Sequence, residues 1–162
     1  MKLETPDGHF FSLRVEAYEF PHEELGPTEG NPADEFETGR FVVVSHTFRN
    51  TDGEWRASGP IMTTTELQGL IDWLKSIQDR IVLKGGVSFT HRVLEFTVDD
   101  SQSALRVHVF HGFLPSWVDP AESVTIEFPI ASVRFDCVLD SLQRQLARFP
   151  GRPPIHDATE LC

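Results

Sequence analysis

Cysteine is almost missing from this chain: Cys137 and Cys162 are the two thiols in 162 residues. Two thiols build no disulfide framework, and neither stands at a metal-ligand spacing from a second donor. Apolar runs are short as well. None approaches the roughly twenty residues that span a bilayer, and the start, Met1-Lys2-Leu3-Glu4-Thr5-Pro6-Asp7-Gly8, lacks the apolar stretch of a secretory signal. The expected compartment is the cytoplasm. Tyrosine occurs once against thirteen Phe, so most of the aromatic content is expected to fill a core.

Basic residues are the most telling shortage. Fourteen Lys+Arg face 25 Asp+Glu, for a formal net charge of −11. A field of that sign repels phosphate backbones and anionic lipid, so neither nucleic acid nor a membrane surface is an expected partner. It favours a basic protein or a cationic ligand, and it also serves plain solubility.

Motifs of chemistry are wanting too. No glycine-rich fingerprint stands at a strand-to-helix junction; Lys84-Gly85-Gly86 is a turn, not a phosphate cradle. No Gly-x-Ser-x-Gly elbow is present. His108 and His111 are three apart in or beside an expected strand, where they point to opposite faces and cannot chelate one ion together. His46, His91 and Cys137 form a site only if the fold assembles one. Cys137 falls near a helix start, which lowers a thiol pKa, but no His partner is identifiable for it. Glu95 and Glu127 lie on expected strands, where solvated faces explain them better than a hydrolytic pair. No catalytic residue, metal or cofactor is expected.

What is present is periodicity. Phe11–Tyr18 alternates apolar and polar residues, and Phe41–Arg49 is richer in Val. Asn50-Thr51-Asp52-Gly53 is a turn signal, with Glu54–Ser58 as its hairpin partner. Four further strands follow, around Val87 and Phe89, Leu94 to Val98, Leu105 to Val109, and Val124 to Phe128. This alternation is that of antiparallel meanders with one wet face. One helix opens at the capping box Thr63-Thr64-Thr65-Glu66 and aligns Leu67, Leu70, Ile71, Leu74 and Ile77, with Trp73 at the rim. A second is expected from about Ser132 to Phe149, ended by Pro150-Gly151. The expected fold is α+β: an antiparallel meander sheet of about seven strands with two amphipathic helices on one face. Residues 1–150 read as one domain and 151–162 as a loosely held tail.

One local feature is unusual. From Glu16 to Glu37 the chain carries Glu16, Glu19, Glu23, Glu24, Glu29, Asp34, Glu35 and Glu37, with no Lys or Arg before Arg40. Such a block repels itself and stays solvated. Tethered to a sheet, it presents a negative patch that steers basic partners. Glu19, Glu23, Glu24, Glu29, Asp34, Glu35 and Glu37 are the expected partner-binding residues, with Phe20, Leu25 and Phe36 either as anchors or folded back on the core. A rival reading is a binding module for a small ligand or carbohydrate, with Trp55 and Trp117 as exposed stacking platforms on the sheet.

Several segments together resemble the WapI-type immunity proteins, which neutralise the toxin domains of bacterial contact-dependent toxins. They are Ala17-Tyr18-Glu19-Phe20-Pro21, then Ile61-Met62-Thr63-Thr64-Thr65-Glu66-Leu67-x-x-Leu70-x-x-Trp73-Leu74, Val87-Ser88-Phe89 with Leu94-Glu95-Phe96, and Pro115-Ser116-Trp117. The ending Leu139-x-x-Leu142-x-x-x-Leu146-x-x-Phe149-Pro150-x-Arg152 is similar to the family as well. The chain departs from that pattern in its acidic, Pro-rich stretch from Pro21 to Gly39 and at Thr90-His91-Arg92. The resemblance implies a non-enzymatic, bacterial protein that binds and neutralises a toxin domain.

Overall fold

The computed structural model describes residues 1–19, 41–81 and 85–151. Among these residues eight strands and two α-helices run in the order β1 (Lys2–Glu4), β2 (Phe10–Tyr18), β3 (Phe41–Asn50), β4 (Gly53–Thr63), α1 (Thr64–Gln78), β5 (Gly86–Ser88), β6 (Leu94–Val98), β7 (Ala104–Phe110), β8 (Ser123–Pro129) and α2 (Phe135–Arg148). All strand pairing is antiparallel between sequence neighbours, as expected of meanders. The strands divide, however, into two four-stranded sheets, β1-β2-β3-β4 and β5-β6-β7-β8, instead of one continuous sheet. The division falls where α1 carries the chain away from the edge strand β4. No helix among the described residues is long and apolar enough to cross a membrane.

The alternation read from the sequence sets the register. Phe11, Leu13 and Val15 of β2 are buried, as are Val44 and Phe48 of β3, Leu94 and Phe96 of β6, Leu105, Val107 and Val109 of β7, and Ile126 and Phe128 of β8. These belong to one hydrophobic cluster with Leu67, Leu70, Ile71, Trp73 and Leu74 of α1 and Phe135, Val138, Leu139 and Leu142 of α2. Phe11 and Phe96 join the two sheets, their rings 5.7 Å apart and edge to face. Each fully buried side chain of this size contributes about 1.5–3 kcal/mol. Trp73 is buried and not at the rim.

Two bulges bend the first sheet at one level. Pairing skips Glu16 on β2, between Val15 and Ala17, and skips Ile61 on β4, opposite the step from Val42 to Val43. The second bulge places Ile61 and Met62 both in the core although they are adjacent. It also explains why β4 runs to Thr63 through Gly59-Pro60, a dipeptide with the look of a turn. β4 is an edge strand, where a residue without an N–H is tolerated.

The other edge of that sheet is short. β1 covers β2 only as far as Leu13, whose N–H donates to the Met1 carbonyl at 3.0 Å. Beyond it, the Val15 N–H donates to the Gln145 side-chain oxygen of α2 at 2.6 Å. A helix side chain thus satisfies an edge donor that a longer β1 would have taken.

The capping box forms as its residues predict. Glu66 N–H donates to Thr63 Oγ1 at 3.1 Å, and Thr63 N–H donates to Glu66 Oε2 at 2.7 Å. Helix α2 starts three residues later than expected. Ile130–Ser132 form a 3-10 turn, and the Ser132 hydroxyl donates back to the Pro129 carbonyl at 2.8 Å instead of capping the helix. The two helices meet at Gln78, whose side-chain amide donates to Asp136 at 2.6 Å.

Candidate partner-binding surface

The acidic block is strung between two paired strands. Tyr18 at the end of β2 pairs with Val42 of β3, and the Glu19 N–H donates to the Phe41 carbonyl at 3.0 Å. Glu19 and Phe41, the described residues on either side of 20–40, therefore stand at the same end of the sheet. Glu23, Glu24, Glu29, Asp34, Glu35 and Glu37 lie outside the described residues, as do Phe20, Leu25 and Phe36. Glu19 is the one expected site residue placed by the structure, and Glu16 just before it accepts a hydrogen bond from Ser45 at 2.6 Å.

The ground beside that strand end is firmly built. Phe41 packs against His91, with ring centroids 5.2 Å apart. The other carboxylate oxygen of Glu66 accepts from both the N–H and the hydroxyl of Thr90, at 2.8 and 2.7 Å. One side chain therefore caps α1 and fastens the Thr90-His91-Arg92 turn to it. On the other flank Tyr18 meets Phe149 edge to face at 5.5 Å, and its hydroxyl donates to the Pro150 carbonyl at 2.6 Å.

The candidate chemical groups are dispersed. His46 is 1% exposed, surrounded by Phe11, Phe48 and Phe113, and neither ring nitrogen has a hydrogen-bond partner. Burial pushes its pKa down from 6.5 to about 4. His91 packs on Phe41, five residues along β3 from His46, a span of about 16 Å on a strand. His108 lies on the outer face of the second sheet between Thr97 and Thr125, at 2.8 and 2.7 Å. Desolvation lowers its pKa, with Arg106 acting the same way and Glu95 and Glu127 opposing. His111 occupies the 3-10 turn that follows β7. Cys137 is exposed on the first turn of α2. Among the described residues no group of three or more His, Cys, Asp or Glu is placed to hold a metal ion.

Glu95 and Glu127 share the outer face but not a site. Glu95 pairs across to His108, whereas Glu127 pairs to Arg106 and accepts its guanidinium at 2.6 Å. The register sets them two strands and two residues apart, about 12 Å between backbones. A hydrolytic carboxylate pair works at about 5–9.5 Å. A cleft of about 320 Å³ opens at the end of this face, lined by Ser88, Arg92, Leu94, Glu95, Phe110 and His111.

The two tryptophans part company. Trp55 is 7% exposed, stacked on Phe48 at 4.7 Å, its indole N–H donating to the Phe113 carbonyl at 3.2 Å. It is core and not a platform, because a buried indole with a satisfied N–H is worth more inside than out. Trp117 is 53% exposed and lies in the loop before β8, not on the sheet.

Residues 2–150 match the immunity protein WapI-like family. No curated protein and no solved structure matches the chain. The match spans every described strand and both helices, and its general function is toxin neutralisation by binding: the chain belongs to the WapI-like family of immunity proteins.

Proposed function

We propose that this protein is a non-enzymatic, cytoplasmic inhibitor that binds one cognate toxin domain and blocks it through an acidic surface. The observation that carries this reading is the family match over 2–150, joined to the run of acids between Glu16 and Glu37 that is tied at both ends to neighbouring strands. A toxin that acts on nucleic acid needs a basic surface for its substrate. An acidic protein competes for that surface without chemistry of its own, and its net charge of −11 draws the toxin in from a distance. The partner on this reading is a basic protein, with no cofactor between them.

The test is co-purification with the toxin domain encoded beside the gene, washed at rising salt. The four-fold variant Glu23→Gln, Glu24→Gln, Asp34→Asn, Glu35→Gln serves as the control. A single basic partner, retained by the wild type and released by salt or by the variant, supports the reading. A wild-type protein that retains no such domain at low salt refutes it.

A further inference from the structure

We infer that the exposed face built on Trp117 is the close-range anchor for the toxin domain, its indole receiving a lysine or arginine side chain of that partner. The inference rests on the inhibitor reading and names a surface at the other end of β3 from Phe41.

Three observations converge on this face. Trp117 exposes 53% of its surface, in a chain that buries its other two tryptophans to 8% or less. An exposed indole is the side chain most often found to dominate a protein interface. It is also held in place. Its ring meets Trp55 edge to face at 5.8 Å, and Trp55 continues through Phe48 at 4.7 Å and Phe11 at 5.1 Å to Phe96 of the second sheet. A free surface tryptophan would have to be ordered on binding; this one stands at the outer end of a packed aromatic column and loses little.

Gly53 gives the indole its seat. Its φ is 155°, and a Cβ there would lie 3.3 Å from two atoms of the Trp117 ring. The β3–β4 hairpin tip and the loop before β8 thereby form one surface.

That surface is negative. Asp52 sits beside Gly53, and Asp119 and Glu122 follow Trp117; all three are exposed. No Lys or Arg occurs from Val107 to Val133. The nearest cations on the hairpin, Arg49 and Arg56, both pair with Glu54. An exposed indole on a surface whose acids Asp52, Asp119 and Glu122 form no ion pair among the described residues selects a cation over an apolar or anionic group, since the ring quadrupole and the acids act in the same sense.

Trp117 stands by the hairpin at one end of β3, and Phe41, the first described residue after the acidic block, is the other end, about 30 Å away on a strand of this length. The two surfaces therefore have separable work: the block governs encounter, and the indole governs residence.

The experiment is a kinetic binding measurement of the full chain against the neighbouring toxin domain. Trp117→Ala, Trp117→Phe and the triple variant Asp52→Asn, Asp119→Asn, Glu122→Gln are compared with wild type, with circular dichroism as the folding control. Trp117→Ala is expected to speed dissociation at least tenfold with association nearly unchanged, and Trp117→Phe to recover part of that loss. The triple variant, which leaves the indole intact, is expected to weaken binding severalfold. Wild-type binding that Trp117→Ala and the triple variant leave unchanged overturns the anchor while the inhibitor reading stands. Absence of wild-type binding removes both. Quenching of indole fluorescence by neutral cellohexaose, but not by the toxin domain, would overturn the anchor in favour of a carbohydrate platform.

Discussion

His46 is the residue whose chemistry the fold suppresses. Its ring is buried among Phe11, Phe48 and Phe113, and both nitrogens are unpartnered. Because the folded pKa of about 4 lies below the ordinary 6.5, the unfolded chain takes up the proton first. Stability is full above pH 6.5 and falls as the pH drops toward 4, by on the order of 3 kcal/mol from this group. Chemical denaturation at pH 7.5 and pH 4.5 is expected to show that loss in the wild type, and His46→Phe is expected to flatten the slope in this window. An unchanged slope in the variant assigns it to other groups. Glu66 makes the opposite case, a residue used twice. Its carboxylate oxygens accept from the Thr63 N–H on one side and from both donors of Thr90 on the other. Glu66→Ala is therefore expected to cost about 2 kcal/mol in urea denaturation, about double a simple lost cap, and to raise hydrogen exchange at the Thr90 amide. A loss confined to α1 with Thr90 unaffected would contradict the double role. The capping box was legible in the sequence, but the Thr90 contact was not, since it joins residues 24 apart.

At the scale of elements, alternation and helical spacing carried the reading furthest. They located both helices and the strands that bury alternate residues, because a period of 2 or 3.6 is what one wet face produces. They missed β1, three residues whose strand character comes from pairing with Phe10–Ser12 and not from any pattern of their own. They stopped β4 early at Gly59-Pro60, where an edge position and a bulge permit what a central strand forbids. Gly86 is another constraint set by tertiary contact. A Cβ at this position of β5 would collide with the Phe96 carbonyl of β6. Gly86→Ala is expected to cost about 1–3 kcal/mol and to loosen β5 from its sheet. Thermal unfolding with amide exchange on Thr97, which pairs with Gly86, checks both parts. A variant as stable as wild type would mean that β5 shifts freely.

For the whole molecule, charge was the legible quantity and placement was not. An excess of acids and their clustering before Arg40 can be counted from the chain. That their segment joins paired strands, and that an exposed indole sits at the far end of β3, follows only from the fold. Trp117 was singled out by its residue type, but Trp55 was singled out with it, and only burial separates them. Long-range attraction should make the association rate fall steeply with salt, since exposed charges more than about 10 Å apart are largely screened at 0.1 M. Neutralising Glu23, Glu24, Asp34 and Glu35 is expected to reduce that salt dependence, read from association rates between about 0.05 and 0.3 M salt, over which the screening length shortens about 2.5-fold. An equal dependence in the variant would place the steering charge elsewhere.

The most direct measurement of inhibition by binding is a titration of the toxin domain's activity with the purified protein. Activity is expected to fall in proportion to the protein added, to vanish at equivalence, and to return when the complex is separated at high salt. Activity that persists at excess protein, or that a catalytic trace abolishes irreversibly, would contradict it.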